Sequence, residues 1–171
     1  TRCARVTGVQ TCALPIITTP IEYDYTIALG SNGVKLFEFT RAYGAFANGG
    51  YKVEPYAVEK IEDSKGKVIY EAPTPKPVKV MNLSTASQMT SMLKTVVSNG
   101  TGRAANIGKP AAGKTGTTDD SKDACFMGYT PNIVAGVWVG NDDNSRNGNI
   151  QGGTIPALIW RDVMRVATQP Y

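Results

Sequence analysis

Apolar residues recur along this chain at two periods, and the change of period divides it. Between residues 35 and 47, Leu36, Phe39, Tyr43 and Phe46 follow helical spacing and the run stops at Asn48-Gly49-Gly50, which predicts an amphipathic helix with that stripe toward a core. Two β-like runs, 57–61 and 67–70, flank Asp63-Ser64-Lys65-Gly66 and read as a hairpin. Pro73, Pro75 and Pro77 then stiffen a surface spacer. Residues 82–98 return to helical period, with Leu83, Ala86, Met89, Leu93, Val96 and Val97 on one side, Asn82 as the expected N-cap and Asn99-Gly100 as the stop. Three strand patterns follow in 111–118, 124–129 and 133–140. Their connections are too short for parallel crossovers, so an antiparallel meander is expected. After an Asn/Asp/Gly loop over 141–153, the segment 156–167 opens on a proline and carries Leu158, Trp160, Val163, Met164 and Val166, a helix expected to cover the sheet.

Residues 1–16 do not share these patterns. They lack an initiating methionine, hold two of the three cysteines, and resemble translated sequencing adapter joined to a truncated gene; a variable terminus is the alternative. They are set apart from fold reasoning, and residues 17–171 are treated as one domain portion.

Composition narrows the chemistry. At 171 residues, 42% hydrophobic and 19% charged, the chain can build one globular core. The net charge of +4 comes from 18 scattered Lys and Arg without runs or interleaved aromatics, which argues against a nucleic-acid partner. With no histidine, proton transfer falls to Lys, a carboxylate or Tyr. Cysteines at 3, 12 and 125 show neither metal-ligand spacing nor a complete disulfide framework, so no cofactor is expected. No apolar run reaches the roughly 18 residues of a membrane span.

Four motifs compete for the function. Gly108-x-x-x-x-Gly113-Lys114-Thr115 satisfies the P-loop expression, but Gly116-Thr117-Thr118 continues a strand far better than it opens a helix. Ser91-Met92-Leu93-Lys94 spells S-x-x-K in the last turns of a helix, only 20 residues before Lys114, and Ser91 reads as a solvated helix residue. Ser145-Arg146-Asn147 spells S-x-N in a loop beyond Lys114, and Asp143-x-Ser145-x-Asn147-Gly148 begins like a calcium loop without its twelfth ligand. The fourth is Gly113-Lys114-Thr115-Gly116-Thr117-Thr118. On an extended strand, Lys114 occupies one face with Thr115 beside it, Gly116 permits close backbone approach, and the next amide can serve as an oxyanion donor.

Around this stretch, Gly100-Thr101-Gly102-Arg103, Asp123-Ala124-Cys125-Phe126-Met127-Gly128-Tyr129-Thr130-Pro131, Val134-Ala135-Gly136-Val137-Trp138-Val139-Gly140, Gly152-Gly153, and Trp160-Arg161-Asp162 together resemble the transpeptidase domain of class A, bifunctional penicillin-binding proteins. Ala28-Leu29-Gly30 and Arg41-Ala42-Tyr43 fit the same family, so the resemblance runs over about 25–167. It implies a serine β-lactamase/transpeptidase-like α+β fold, an antiparallel sheet covered by helices and truncated on its N-terminal side. It implies acyl transfer from D-Ala-D-Ala stem peptides of peptidoglycan, with β-lactams acylating the same serine, at the periplasmic face of a bacterial membrane. Lys114 would place charge near the substrate carboxylate and support proton transfer, the Thr115 and Thr117 hydroxyls would bind that carboxylate, Gly116 would leave room, and the Thr117 amide would supply half of an oxyanion hole. The family's nucleophilic S-x-x-K and its S-x-N, expected before Ala28, do not occur there, so the chain is expected not to acylate alone. The parent would carry them, together with a glycosyltransferase domain behind one membrane anchor. Cys125 stands where the family usually has Trp. A non-catalytic β-rich binding domain that retains the Lys-Thr-Gly strand is the competing reading.

Overall fold

The computed structural model describes residues 16–20, 25, 30 and 32–170. Residues 1–15, most of the adapter-like segment, lie outside that set, as do Ala28 and Leu29 of the resemblance.

The meander is the centre of the molecule. Strands β5 (Ala112–Thr117), β6 (Asp123–Tyr129) and β7 (Val134–Gly140) pair antiparallel in the order β5-β6-β7, with Ala112 opposite Tyr129 and Asp123 opposite Gly140. Local chemistry closes both connections. The Thr118 amide donates to the Asp123 carbonyl at 3.0 Å, and the Thr118 hydroxyl accepts from the amides of Lys122 and Asp123 at 3.1 and 3.0 Å. At the other end the Thr130 amide donates to Ile133 at 2.9 Å across the Pro131-Asn132 turn.

Strand alternation then sorts side chains to two faces. Phe126, Ala135 and Val137 lie on one, where helix α3 (Ile155–Ala167) buries Ala157, Trp160 and Met164 against them. Phe126 and Trp160 meet edge-on at 5.2 Å, and the Trp160 indole N–H donates to the Ala135 carbonyl at 3.1 Å, so the ring's one polar atom is satisfied in the core. On the opposite face Ala112, Tyr129 and Val134 pack with Leu93, Tyr43 and Phe46 from helices α1 (Leu36–Ala47) and α2 (Leu83–Ser98). Helix α2 covers β5, and α1 covers β6 and β7. The result is the expected antiparallel sheet between helical layers.

The smaller elements lie outside this core. β2 (Lys60–Glu62) and β3 (Val68–Glu71) form the expected hairpin, with the Asp63 carboxylate accepting the Lys65 and Lys67 amides at 2.8 and 2.9 Å, while Ala57 and Val58 stay outside the ladder. Every residue of both strands is exposed. β1 (Tyr51–Lys52) and β4 (Val78–Lys79) pair as well, so the proline spacer returns the chain to the end of α1.

Asn82 is the N-cap of α2, as expected: its carbonyl accepts from Ala86, while its exposed side chain makes no capping bond. Two expectations about helix faces need correction. Leu83 is 65% exposed and Leu36 41%; each is the first residue of its helix. On α3 the outward positions Leu158, Val163 and Val166 are exposed, and Pro156 and Ala157 are buried in their stead. No described helix is long and apolar enough to cross a membrane.

A buried carboxylate ties the start of the described chain to α1. Glu38, 7% exposed, accepts the Thr18 and Thr19 amides at 2.9 and 3.3 Å and both threonine hydroxyls, with Lys35 at 3.7 Å. The Thr18 hydroxyl is the largest influence and holds the Glu38 pKa down at about 2.

Candidate active site strand

The Lys114 stretch lies on an outer strand of the sheet: β5 pairs with β6 on one side, and no described strand covers its other side. Because Thr118 donates to Asp123 in register, antiparallel alternation makes Gly116 and Lys114 exchange bonds with Cys125 and Met127. The amides and carbonyls of Thr115 and Thr117 therefore point outward, along the open edge. Such an edge can accept an extended peptide as a further strand.

Side chains add polarity to that edge. Lys114 and Gly116 share the face of Cys125 and Met127, while Thr115 and Thr117 belong to the face of Phe126 and Ala124. The strand separates them, yet Lys114 folds across it: Nζ donates to the Thr115 carbonyl at 3.0 Å and reaches Thr115 Oγ1 at 3.4 Å. No carboxylate among the described residues forms an ion pair with Lys114. Its charge is free for an anionic ligand.

The other face is clamped from behind. Thr101 Oγ1 lies 2.8 Å from Thr115 Oγ1, and the Gly152 amide donates to Thr117 Oγ1 at 3.0 Å. A β-carbon on Gly152 would sit 2.4 Å from the Cys125 carbonyl and 2.5 Å from that of Gly116, so only glycine lets this loop lie on the ladder. The Thr117 hydroxyl is thus an acceptor toward the loop and keeps its own proton. Thr101 and Gly152 had been visible only as members of family-like blocks. A Gly-Thr-Gly sequence at a helix stop was the available signal, but their contacts span 14 and 35 residues and no local pattern reveals them.

Cys125 lies beneath Gly116, half-buried. Burial pushes its thiol pKa up, Asp123 adds to this, and the Gly116 backbone and Lys114 oppose it. Deeper on the same face, burial followed by the influence of Cys125 and Tyr129 raises Tyr43 to about 12, and the Tyr129 hydroxyl bonds Thr90 at 2.9 Å.

The competing motifs resolve differently. β5 runs on as strand through Thr117 into a turn, with no helix opening at Lys114, so the P-loop geometry is absent. Ser91 and Lys94 are exposed on α2 and border a cleft of about 360 Å³ with Phe46, Leu83 and Thr90, to which β5 contributes no residue. Asn147 is a clasp: its side-chain amide donates to the carbonyls of Lys122 and Val139 at 3.3 and 3.1 Å, and its backbone amide to Ser121 at 3.0 Å. Among the described residues no three His, Cys, Asp or Glu side chains cluster as metal ligands.

With this geometry in place, comparison with known proteins assigns the class. The penicillin-binding protein transpeptidase domain family matches residues 21–165, and the chain belongs to that family. Penicillin-binding protein 1A of Aquifex aeolicus (strain VF5) is 42% identical over 149 residues, covering 86% of this chain and 20% of that protein. The crystal structure of penicillin-binding protein 1A from Haemophilus influenzae superposes on 97% of this chain and 31% of its own with a TM-score of 0.80 at 27% identity. PonA1 of Mycobacterium tuberculosis in complex with penicillin V gives 0.81 at 25% identity, over 96% of this chain and 49% of that one. The chain spans about one fifth of the length of the curated relatives it matches.

Proposed function

We propose that this chain is the C-terminal part of a serine-type D,D-transpeptidase domain, and that β5 is its substrate-facing strand. The observation that carries the reading is the outer edge of β5, where the Thr115 and Thr117 main-chain groups face outward beside a lysine that no described carboxylate pairs. A peptidoglycan stem peptide ending in D-Ala-D-Ala would lie along this edge. Its terminal carboxylate, or that of a β-lactam, would meet Lys114 and the hydroxyls of Thr115 and Thr117. Gly116 would let the ligand backbone approach, and the Thr117 amide would donate to the oxygen that gains charge when the carbonyl is attacked, a contribution of roughly 3 kcal/mol.

The attacking serine belongs to a segment outside this sequence. Its hydroxyl oxygen would bond the carbonyl carbon, the amide bond to the last D-Ala would break, and that amine would leave with a proton. An amine of a neighbouring strand would then take the acyl group and restore the hydroxyl. A β-lactam would follow the first half: the bond between its ring carbonyl carbon and nitrogen would break, and that nitrogen, still tethered to the acyl group, would take up the proton given up by the serine. The complete protein would act at the periplasmic side of the bacterial envelope, with a glycosyltransferase domain behind one membrane anchor.

Labelling with a fluorescent penicillin, followed by intact-mass measurement, tests this. The complete protein should form a stoichiometric adduct, and Lys114→Ala should slow its formation roughly ten- to hundredfold. The present chain alone should form none. Unchanged labelling of the lysine variant, or an adduct on Ser91, would overturn the assignment, and a complete reading frame without S-x-x-K would favour a non-catalytic binding domain.

A further inference from the structure

The contacts of Thr115 constrain the direction of its own proton. A threonine hydroxyl offers one hydrogen and two acceptor lone pairs. Lys114 Nζ, which can only donate, lies 3.4 Å from Thr115 Oγ1, and Thr101 Oγ1 lies 2.8 Å from the same oxygen. If Thr115 donated to Thr101, its hydrogen would be turned away from the edge. If Thr101 donates instead, the lysine and Thr101 fill both lone pairs, and the Thr115 O–H is left to bond outward. An anion at the edge selects the second arrangement, because a hydroxyl bonded to a carboxylate is stronger than one bonded to another hydroxyl.

Thr101 is held in position for this. It lies in the turn that ends α2, where the amides of Gly100 and Gly102 donate to the Val96 carbonyl at 3.1 and 3.0 Å. Its own carbonyl packs beneath Gly153, next to the glycine that binds Thr117. Both hydroxyl residues of β5 are thereby engaged from the face opposite Lys114.

We propose that Thr101 is a positioning residue for anion recognition: it donates to Thr115 and so directs the Thr115 O–H to the carboxylate of a bound stem peptide or β-lactam. The inference rests on the reading of β5 as the substrate strand. Thr101 touches no ligand, and its effect passes through Thr115.

The test uses the full-length protein and compares acylation by benzylpenicillin with acylation by its methyl ester, which lacks the anion. Thr101→Val keeps the shape and removes the hydroxyl. It should lower the second-order rate with the acid roughly tenfold through weaker binding, change the rate with the ester by no more than about twofold, and be rescued by Thr101→Ser. If the valine variant does not fold, Thr101→Ala provides the same comparison. Equal slowing with acid and ester would make Thr101 merely structural and overturn the proposal. An acid-selective loss in Thr115→Val without one in Thr101→Val would overturn it while leaving the β5 reading intact. If neither Thr115→Val nor Lys114→Ala distinguishes acid from ester, the reading of β5 fails and the inference falls with it.

Discussion

Gly116 and Cys125 face each other across the β5–β6 ladder, and a β-carbon on Gly116 would lie 2.5 Å from the Cys125 sulfur. At Gly116 the strand that carries Lys114 is therefore packed against the Cys125 sulfur, and the two positions are coupled.

Gly116→Ala should destabilise the protein by about 1–3 kcal/mol through overpacking. Cys125→Ala removes the colliding sulfur, so the double variant should recover a large part of that loss. Urea denaturation of the four proteins of this cycle measures the coupling. Strict additivity would show that the strand shifts instead of the side chain.

The thiol itself should be sluggish. Burial and the nearby Asp123 charge raise its pKa, and only the thiolate reacts. Native Cys125 should be alkylated by iodoacetamide at pH 8 more slowly than in denaturant, and Lys114→Ala should slow it further by removing an opposing charge. Peptide mapping by mass spectrometry separates this site from Cys3 and Cys12. Equal rates in native and denatured protein would contradict the packing.

Glu38 links stability to pH. Its pKa is about 2 in the folded protein against an ordinary 4.5, so the folded state binds its proton less readily than the unfolded one. The stabilisation is fully present above about pH 4.5 and is lost as pH falls toward 2. Glu38→Gln should lower the urea midpoint at pH 7, and the gap from the parent should close on acidification. A gap unchanged at pH 3 would mean that the carboxylate charge is not what holds Thr18 and Thr19.

Trp160 anchors the opposite face of the sheet. Fully buried, it joins α3 to Phe126 and to the Ala135 carbonyl. Trp160→Ala should cost about 3–5 kcal/mol through the cavity it leaves. Trp160→Phe should cost about 2 kcal/mol, with the carbonyl losing its donor as the main cause. Chemical denaturation at neutral pH reads both, and equal losses would show that ring volume contributes little.

The sequence by itself determined the three helices, the β2–β3 hairpin, the β5–β7 meander and the class, but not the β1–β4 pair. Period-two and helical patterns act between near neighbours, so Asn99-Gly100, Thr130-Pro131 and the weak helix propensity of Gly116-Thr117 were enough to mark the end of α2, to close the β6–β7 turn and to exclude a P-loop. Tertiary packing alone decided what each strand face meets. The joining of Thr101 to Thr115, the Gly152 amide on Thr117, the burial of Glu38 and the exposure of Leu83 depend on which segments the chain brings together across tens of residues. A residue's period specifies its side of an element; its partner depends on how the elements pack.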